Sequence, residues 1–216
     1  MRTPTAAKHF PNRKTAIVTY PVVSGLPPTV LRRVRSLLAF KNIFDYSLDE
    51  YRKDAWLTEF TFNVNHNANY LLDLTFTQSG LAAYPDEQSK HLLIDLRNGA
   101  TVAAQDAFLA DQLETLAGLV DVRLQAEIAQ RKQENARSND IDPTQKASID
   151  DAYAALKFEK KDLENFSVSQ KGITFLYDAG FPHVIEALSP KGHYLFTFEE
   201  LKPYIKTDGP LGQFIR

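Results

Sequence analysis

Between residues 56 and 77 the chain twice alternates bulky apolar and polar side chains, a period of two that suits a strand with one buried face. Trp56, Phe60, Phe62 and Val64 alternate with Leu57, Glu59, Thr61 and Asn63, and Tyr70, Leu72, Leu74 and Phe76 alternate with Asp73, Thr75 and Thr77. The polar stretch Asn65-His66-Asn67-Ala68 between them reads as a hairpin connection. The two runs are therefore expected as adjacent antiparallel strands, each with an aromatic-rich face on a core and a polar face toward water.

The same reading extends along the chain. Thr15 to Tyr20 predicts a first strand that Pro21 stops, because proline cannot donate to a ladder. From Thr29, Val30, Leu31, Val34, Leu37 and Leu38 recur at helical spacing, with Arg32, Arg33 and Arg35 on the other side. His91 to Leu96 predicts a strand ending at Asn98-Gly99, a strong hairpin signal since both residues tolerate positive φ. Leu109, Leu113, Leu116, Val120, Leu124 and Ile128 then predict one long amphipathic helix from Gln105 to about Glu134. Ser138 to Gln145 reads as a loop, Asp150 to Leu156 as a short helix and Lys157 to Glu164 as a charged connector. Strands at 172–178 and 193–198 lead into a capping helix that starts near Glu199 and Glu200.

These elements predict an α+β fold, an antiparallel sheet with two main helices, 29–40 and 105–134, packed on one face. Residues 1–14 are expected as a flexible segment and 15–216 as a single domain with a helical excursion at 105–160. The 216 residues are 44% hydrophobic and 24% charged, enough apolar content for a sizeable core. A formal net charge of -2 gives no electrostatic case for a nucleic-acid partner. The absence of cysteine removes disulfides, thiolate metal sites and a cysteine nucleophile. No apolar run approaches the roughly 20 residues of a membrane helix.

No strong catalytic motif stands in the sequence. The five histidines, His9, His66, His91, His183 and His193, include no pair at the i, i+4 spacing of a helical zinc site. His183 and His193, with Glu186 or Asp178, would meet only across a hairpin. Asn139, Asp140 and Asp142 lack the glycine and distal glutamate of a calcium loop and read better as turn formers. Ser24 lacks the preceding glycine of a nucleophile elbow. Asp49 with Glu50, and Glu199 with Glu200, are adjacent carboxylates, the latter pair placed for helix capping. No cofactor or metal is expected. Tyr84-Pro85-Asp86 and Ala179-Gly180-Phe181-Pro182-His183 each set an aromatic beside proline in a turn, so Tyr84, Pro85, Phe181 and His183 are the candidate ligand-binding residues.

Read in order, Thr19-Tyr20-Pro21-Val22-Val23-Ser24-Gly25, the hairpin, Ala83-Tyr84-Pro85, Ile94-Asp95-Leu96-Arg97-Asn98-Gly99, the long helix and Asn165 to Tyr204 resemble a bacterial extracytoplasmic domain of largely unknown function. It is found in lysozyme-sensing anti-sigma factors and beside the catalytic domain of some peptidoglycan deacetylases. The resemblance covers all but the first dozen residues. One departure is Leu81-Ala82-Ala83-Tyr84-Pro85, where relatives commonly carry a Gly-Ala-His-Pro-like turn. The resemblance implies a non-catalytic binding or sensing module outside the cytoplasm, with a protein such as lysozyme or a cell-wall glycan as partner. An export signal or anchor would lie outside these residues, since Met1 to Lys14 is polar and proline-bearing. The deacetylase motifs, Thr-Phe-Asp-Asp and His-x-x-x-His, are absent. The alternatives are a cell-wall hydrolase using His183, His193 and a carboxylate, and an accessory domain that positions a catalytic partner.

Overall fold

Phe60 has no exposed surface and sits among the rings of Tyr20, Phe40, Phe44 and Phe76 at centroid distances of 5.3, 4.7, 6.0 and 5.8 Å. It centres the first of two compact units, residues 1–102 and 103–216, in a computed structural model that describes residues 2–4, 15–44, 47, 49–50, 57–81, 85–137 and 143–216.

The first unit is a six-stranded sheet in the order β1 to β6. Its strands are β1 (Arg2–Pro4), β2 (Thr15–Val18), β3 (Leu57–Ala68), β4 (Leu71–Leu81), β5 (Pro85–Asp95) and β6 (Ala100–Thr101). Helix α1 (Pro28–Leu37) begins on proline, which suits a first helical turn where the missing N–H costs nothing. Its Val34, with Leu38 and the following turn Phe40–Ile43, buries apolar surface with Ala16, Val18, Leu57, Leu72, Leu74, Phe76 and Ile94. Removing each large side chain from water contributes about 1.5–3 kcal/mol.

The second unit holds a three-stranded antiparallel sheet, β7 (Phe166–Ser169), β8 (Gly172–Leu176) and β9 (His193–Phe196). Helix α2 (Leu113–Arg137) buries Leu113, Leu116, Ala117, Val120, Leu124 and Ile128 along one face, and α3 (Pro143–Ala154) follows. Phe175 of β8 is fully buried and lies 5.8, 6.2, 6.3 and 5.8 Å from the rings of Phe108, Phe158, Phe166 and Phe196. The Arg123 guanidinium of α2 sits 3.5 Å over the Phe196 ring. The Tyr194 hydroxyl donates to Glu127 Oε2 at 3.0 Å, and burial beside that carboxylate pushes the phenol well above its ordinary range.

The α+β class holds, with four corrections to the expected elements. The strands form two sheets, each with its own helix, where one sheet was expected; alternation specifies a buried face but not which strand lies alongside. β2 runs parallel to β3, Ile17 opposite Glu59, because the crossover between them carries α1, and a helical crossover is what a parallel pair requires. Asn65 to Ala68 belong to β3, and the connection is Asn69-Tyr70. A register shift between Val64 and His66 lets His66 turn inward, 7% exposed, where a polar loop was expected. The long helix starts at Leu113 and not at Gln105, since Phe108 is extended and bridges Ile205.

Smaller boundary shifts follow local chemistry. α3 starts at Pro143, a residue expected in a loop, and the segment expected as a connector contains a 3-10 helix, Lys160–Glu164. Thr197 caps the helix Phe198–Leu201, its Oγ1 accepting from Glu200 N while Glu200 reaches back to Thr197 N, so Glu200 acts in capping as expected. Within the first fourteen residues only Arg2–Pro4 is described, as β1 paired antiparallel to β2. Among the described residues no helix is long and apolar enough to cross a membrane.

Candidate functional site

At one end of the large sheet, β3 and β4 are joined by two residues, Asn69 at φ 55° and Tyr70 at φ 59°. Positive φ at both central positions is what a type I′ hairpin turn demands, and it matches the twist of the strands. Asparagine suits this conformation, but a tyrosine there is unusual, since its Cβ crowds the following carbonyl. The Tyr70 ring is 66% exposed, so packing does not hold it in place.

The neighbouring turn fixes this tip from the side. Leu96 N donates to the Tyr70 carbonyl at 2.8 Å, and Gly99 N donates to the Asp95 carbonyl at 2.7 Å. Asp95, 6% exposed, accepts from Arg97 through Nε at 2.9 Å and Nη2 at 2.7 Å, and from the Arg97 backbone N–H at 2.9 Å. That paired geometry raises the Arg97 pKa further and holds the guanidinium half-exposed beside the turn. Arg33 Nη1 donates to the Asn98 carbonyl at 3.1 Å, which brings α1 to the same turn. Gly99, at φ +75°, permits the approach: a Cβ there would lie 3.0 Å from Arg33 Cβ and 3.0 Å from the Val30 carbonyl oxygen. Arg32 and Arg35 are also exposed on α1. The result is an exposed tyrosine on one turn, the Arg97 guanidinium on the next, and Arg33 of α1 bonded to that second turn.

A polar pair lies inside the same unit. Asp73 is fully buried; its Oδ1 accepts from Asn65 Nδ2 at 2.7 Å, and its Oδ2 lies 3.4 Å from His91 Nε2. Neither ring nitrogen of His91 makes a well-formed hydrogen bond.

The residues singled out from sequence stand on separate elements. Tyr84 lies outside the described residues, as do Asn139, Asp140 and Asp142. Pro85 opens β5, opposite Leu81. Phe181 is half-buried with its ring 5.5 Å from that of Tyr153, and Tyr153 donates its hydroxyl to the Leu188 carbonyl. His183 begins a 3-10 helix, His183–Leu188, and His193 stands exposed at the start of β9, opposite Leu176. Among the described residues no three His, Asp or Glu side chains are grouped to hold a metal ion. Sequence reasoning missed Tyr70 and Arg97. The available signal was Asn69, a residue favoured at positive φ, directly before the tyrosine.

No protein-family model matches the chain, and no curated protein matches it. Two solved structures are similar to it. One is a DUF3298 family protein from Pseudomonas aeruginosa PAO1, 12% identical over 87% of this chain and 89% of that one, with a TM-score of 0.57. The other is a member of the DUF3298 family from Bacteroides fragilis NCTC 9343, 16% identical over 100% of this chain and 95% of that one, with a TM-score of 0.55. At these identities the likeness is one of fold, and the chain shares the fold of these bacterial domains of unknown function.

Proposed function

We propose that this chain is a non-catalytic binding or sensing module that works outside the bacterial cytoplasm and engages a protein or a cell-wall glycan, with lysozyme the first protein to test. The observation that carries the reading is Tyr70. A residue with a large side chain at φ 59° costs about 1–2 kcal/mol that glycine would avoid, and the ring, 66% exposed, recovers little of it by burial. Backbone strain at an exposed position points toward a role in recognition. Arg97 and Arg33 flank the tip, and tyrosine with arginine is the composition of interface anchors. The turn is already fixed by its hydrogen bonds, so little ordering remains to be lost on binding.

The export and partner readings rest on the sequence resemblance to extracytoplasmic domains, and the fold likeness is consistent with it. The test is isothermal titration with a c-type lysozyme and, separately, with soluble peptidoglycan fragments, using the wild-type chain and Tyr70→Gly. The expected result is binding to one of the two and at least a tenfold loss in the variant with the fold intact. Silence of the wild-type chain toward both would overturn the reading in favour of an accessory domain.

A further inference from the structure

The formal net charge of -2 conceals a segregation along the chain. Residues 1–102 carry twelve Lys and Arg against nine Asp and Glu, whereas residues 103–216 carry thirteen against eighteen. Helix α1 alone matches the excess in the first unit, since its ten residues include Arg32, Arg33 and Arg35 and no carboxylate.

The three guanidinium groups are exposed, and their charge is not compensated. Among the described residues none of them has a carboxylate within ion-pair distance. Arg33 donates to the Asn98 carbonyl at 3.1 Å and Arg35 to the Val23 carbonyl at 3.4 Å, bonds that orient the groups without neutralising them. Arg32 and Arg35 stand three residues apart and so share a helix face, where like charges repel. A glutamate at that spacing would relieve the repulsion, and α1 has none.

The shape of the ridge narrows the partner. The other exposed residues of α1 are Pro28, Thr29 and Ser36, so the ridge lacks the large apolar anchors at the centre of a protein interface. A linear polyanion needs no such anchor, because it meets the surface through charge at many points. The ridge also continues into the Tyr70 tip: Arg33 bonds the turn that carries Arg97, and Leu96 N beside that turn bonds the Tyr70 carbonyl. Arg97 is already paired with Asp95, which leaves the free charge on α1 and an exposed ring at the tip. Guanidinium forks pair with carboxylates, and an exposed tyrosine ring packs against the C–H face of a sugar.

We infer that the α1 ridge binds an anionic polysaccharide with a carboxylate on each repeat, its carboxylates on Arg32, Arg33 and Arg35. The inference rests on the reading of this chain as a binding module and selects a glycan over a protein as the partner.

The probe is tetragalacturonate, titrated calorimetrically into the full chain, with its methyl ester as the uncharged control and a glutamate oligomer of equal charge as the peptide control. The expected result is saturable binding of tetragalacturonate, weakened about tenfold between about 50 and 200 mM salt by counterion release, and none of the ester. The double variant Arg32→Gln with Arg35→Gln should keep its thermal midpoint, both side chains being exposed, and bind at least about tenfold more weakly. No binding of tetragalacturonate, or equal binding of the ester, would overturn the inference. Equal binding of the glutamate oligomer would overturn it in favour of an acidic protein partner, and so would undiminished binding by the folded double variant. Tyr70→Gly separates this inference from the reading of the tip. Loss of binding in the arginine variant with none in Tyr70→Gly would uphold the ridge and sink the tip, and the reverse pattern would sink the ridge alone.

Discussion

The backbone N–H of Leu96 donates to the carbonyl of Tyr70 at 2.8 Å, so the tip of the β3–β4 hairpin is fastened to the turn after β5. The tyrosine is held at positive φ by its neighbours and not by its own side chain. Tyr70→Gly should therefore stabilise the fold by roughly 0.5–1 kcal/mol, the relief at positive φ being partly offset by glycine's greater freedom when unfolded. A higher urea midpoint with an unchanged slope is the expected reading. A lower midpoint would mean that the ring contributes to packing.

Gly99→Ala should act in the opposite direction. At φ +75°, with a Cβ meeting Arg33 Cβ and the Val30 carbonyl oxygen at 3.0 Å, alanine is both strained and crowded. The expected loss is at least about 1 kcal/mol. Amide exchange should quicken around Leu96 and Gly99, where the turn's bonds are made.

Phe175→Ala removes a ring with four aromatic neighbours in the second unit. The expected cost is about 3–5 kcal/mol, the range for a buried phenylalanine whose cavity cannot collapse fully. Phe175→Leu should recover much of it. Chemical denaturation of both variants checks the difference.

The helix cap at Thr197 gives a pH prediction. Hydrogen bonds from the Thr197 backbone and hydroxyl, with Arg123 nearby, hold the Glu200 carboxyl below its ordinary value of 4.5. A depressed folded-state pKa contributes stability that is present above the unfolded value and is lost as pH falls through the folded one. Wild type should therefore melt higher than Glu200→Gln at pH 6, and the gap should close as the pH is taken below 4.5. A gap that does not narrow at all as the pH falls below 4.5 would show that the carboxylate charge is not its source.

Local chemistry was readable where neighbouring residues decide the outcome. The spacing of Val30, Val34 and Leu38 placed α1 within a few residues, and Glu200 was recognised as a capping group. The reading failed where a distant residue decides. Leu109 continues the helical spacing, yet Phe108 pairs with Ile205 and delays the start of α2. Asn65 to Ala68 look like a loop, yet β4 supplies partners for three of them, and only a pairing partner reveals that the strand continues. The Tyr70 surface is assembled from two turns and a helix, so its parts are separated along the chain.

The strand order of the first unit also sets an order of assembly. β3, β4 and β5 form a meander of successive neighbours, and pairings of that kind close short loops and form early. The parallel match of Ile17 with Glu59 instead joins residues 42 positions apart (59 − 17), a longer closure that must await the folding of α1 in between. The meander is then the natural nucleus, and β2 is the latecomer. Substitutions in β2 should speed unfolding while leaving the refolding rate nearly untouched.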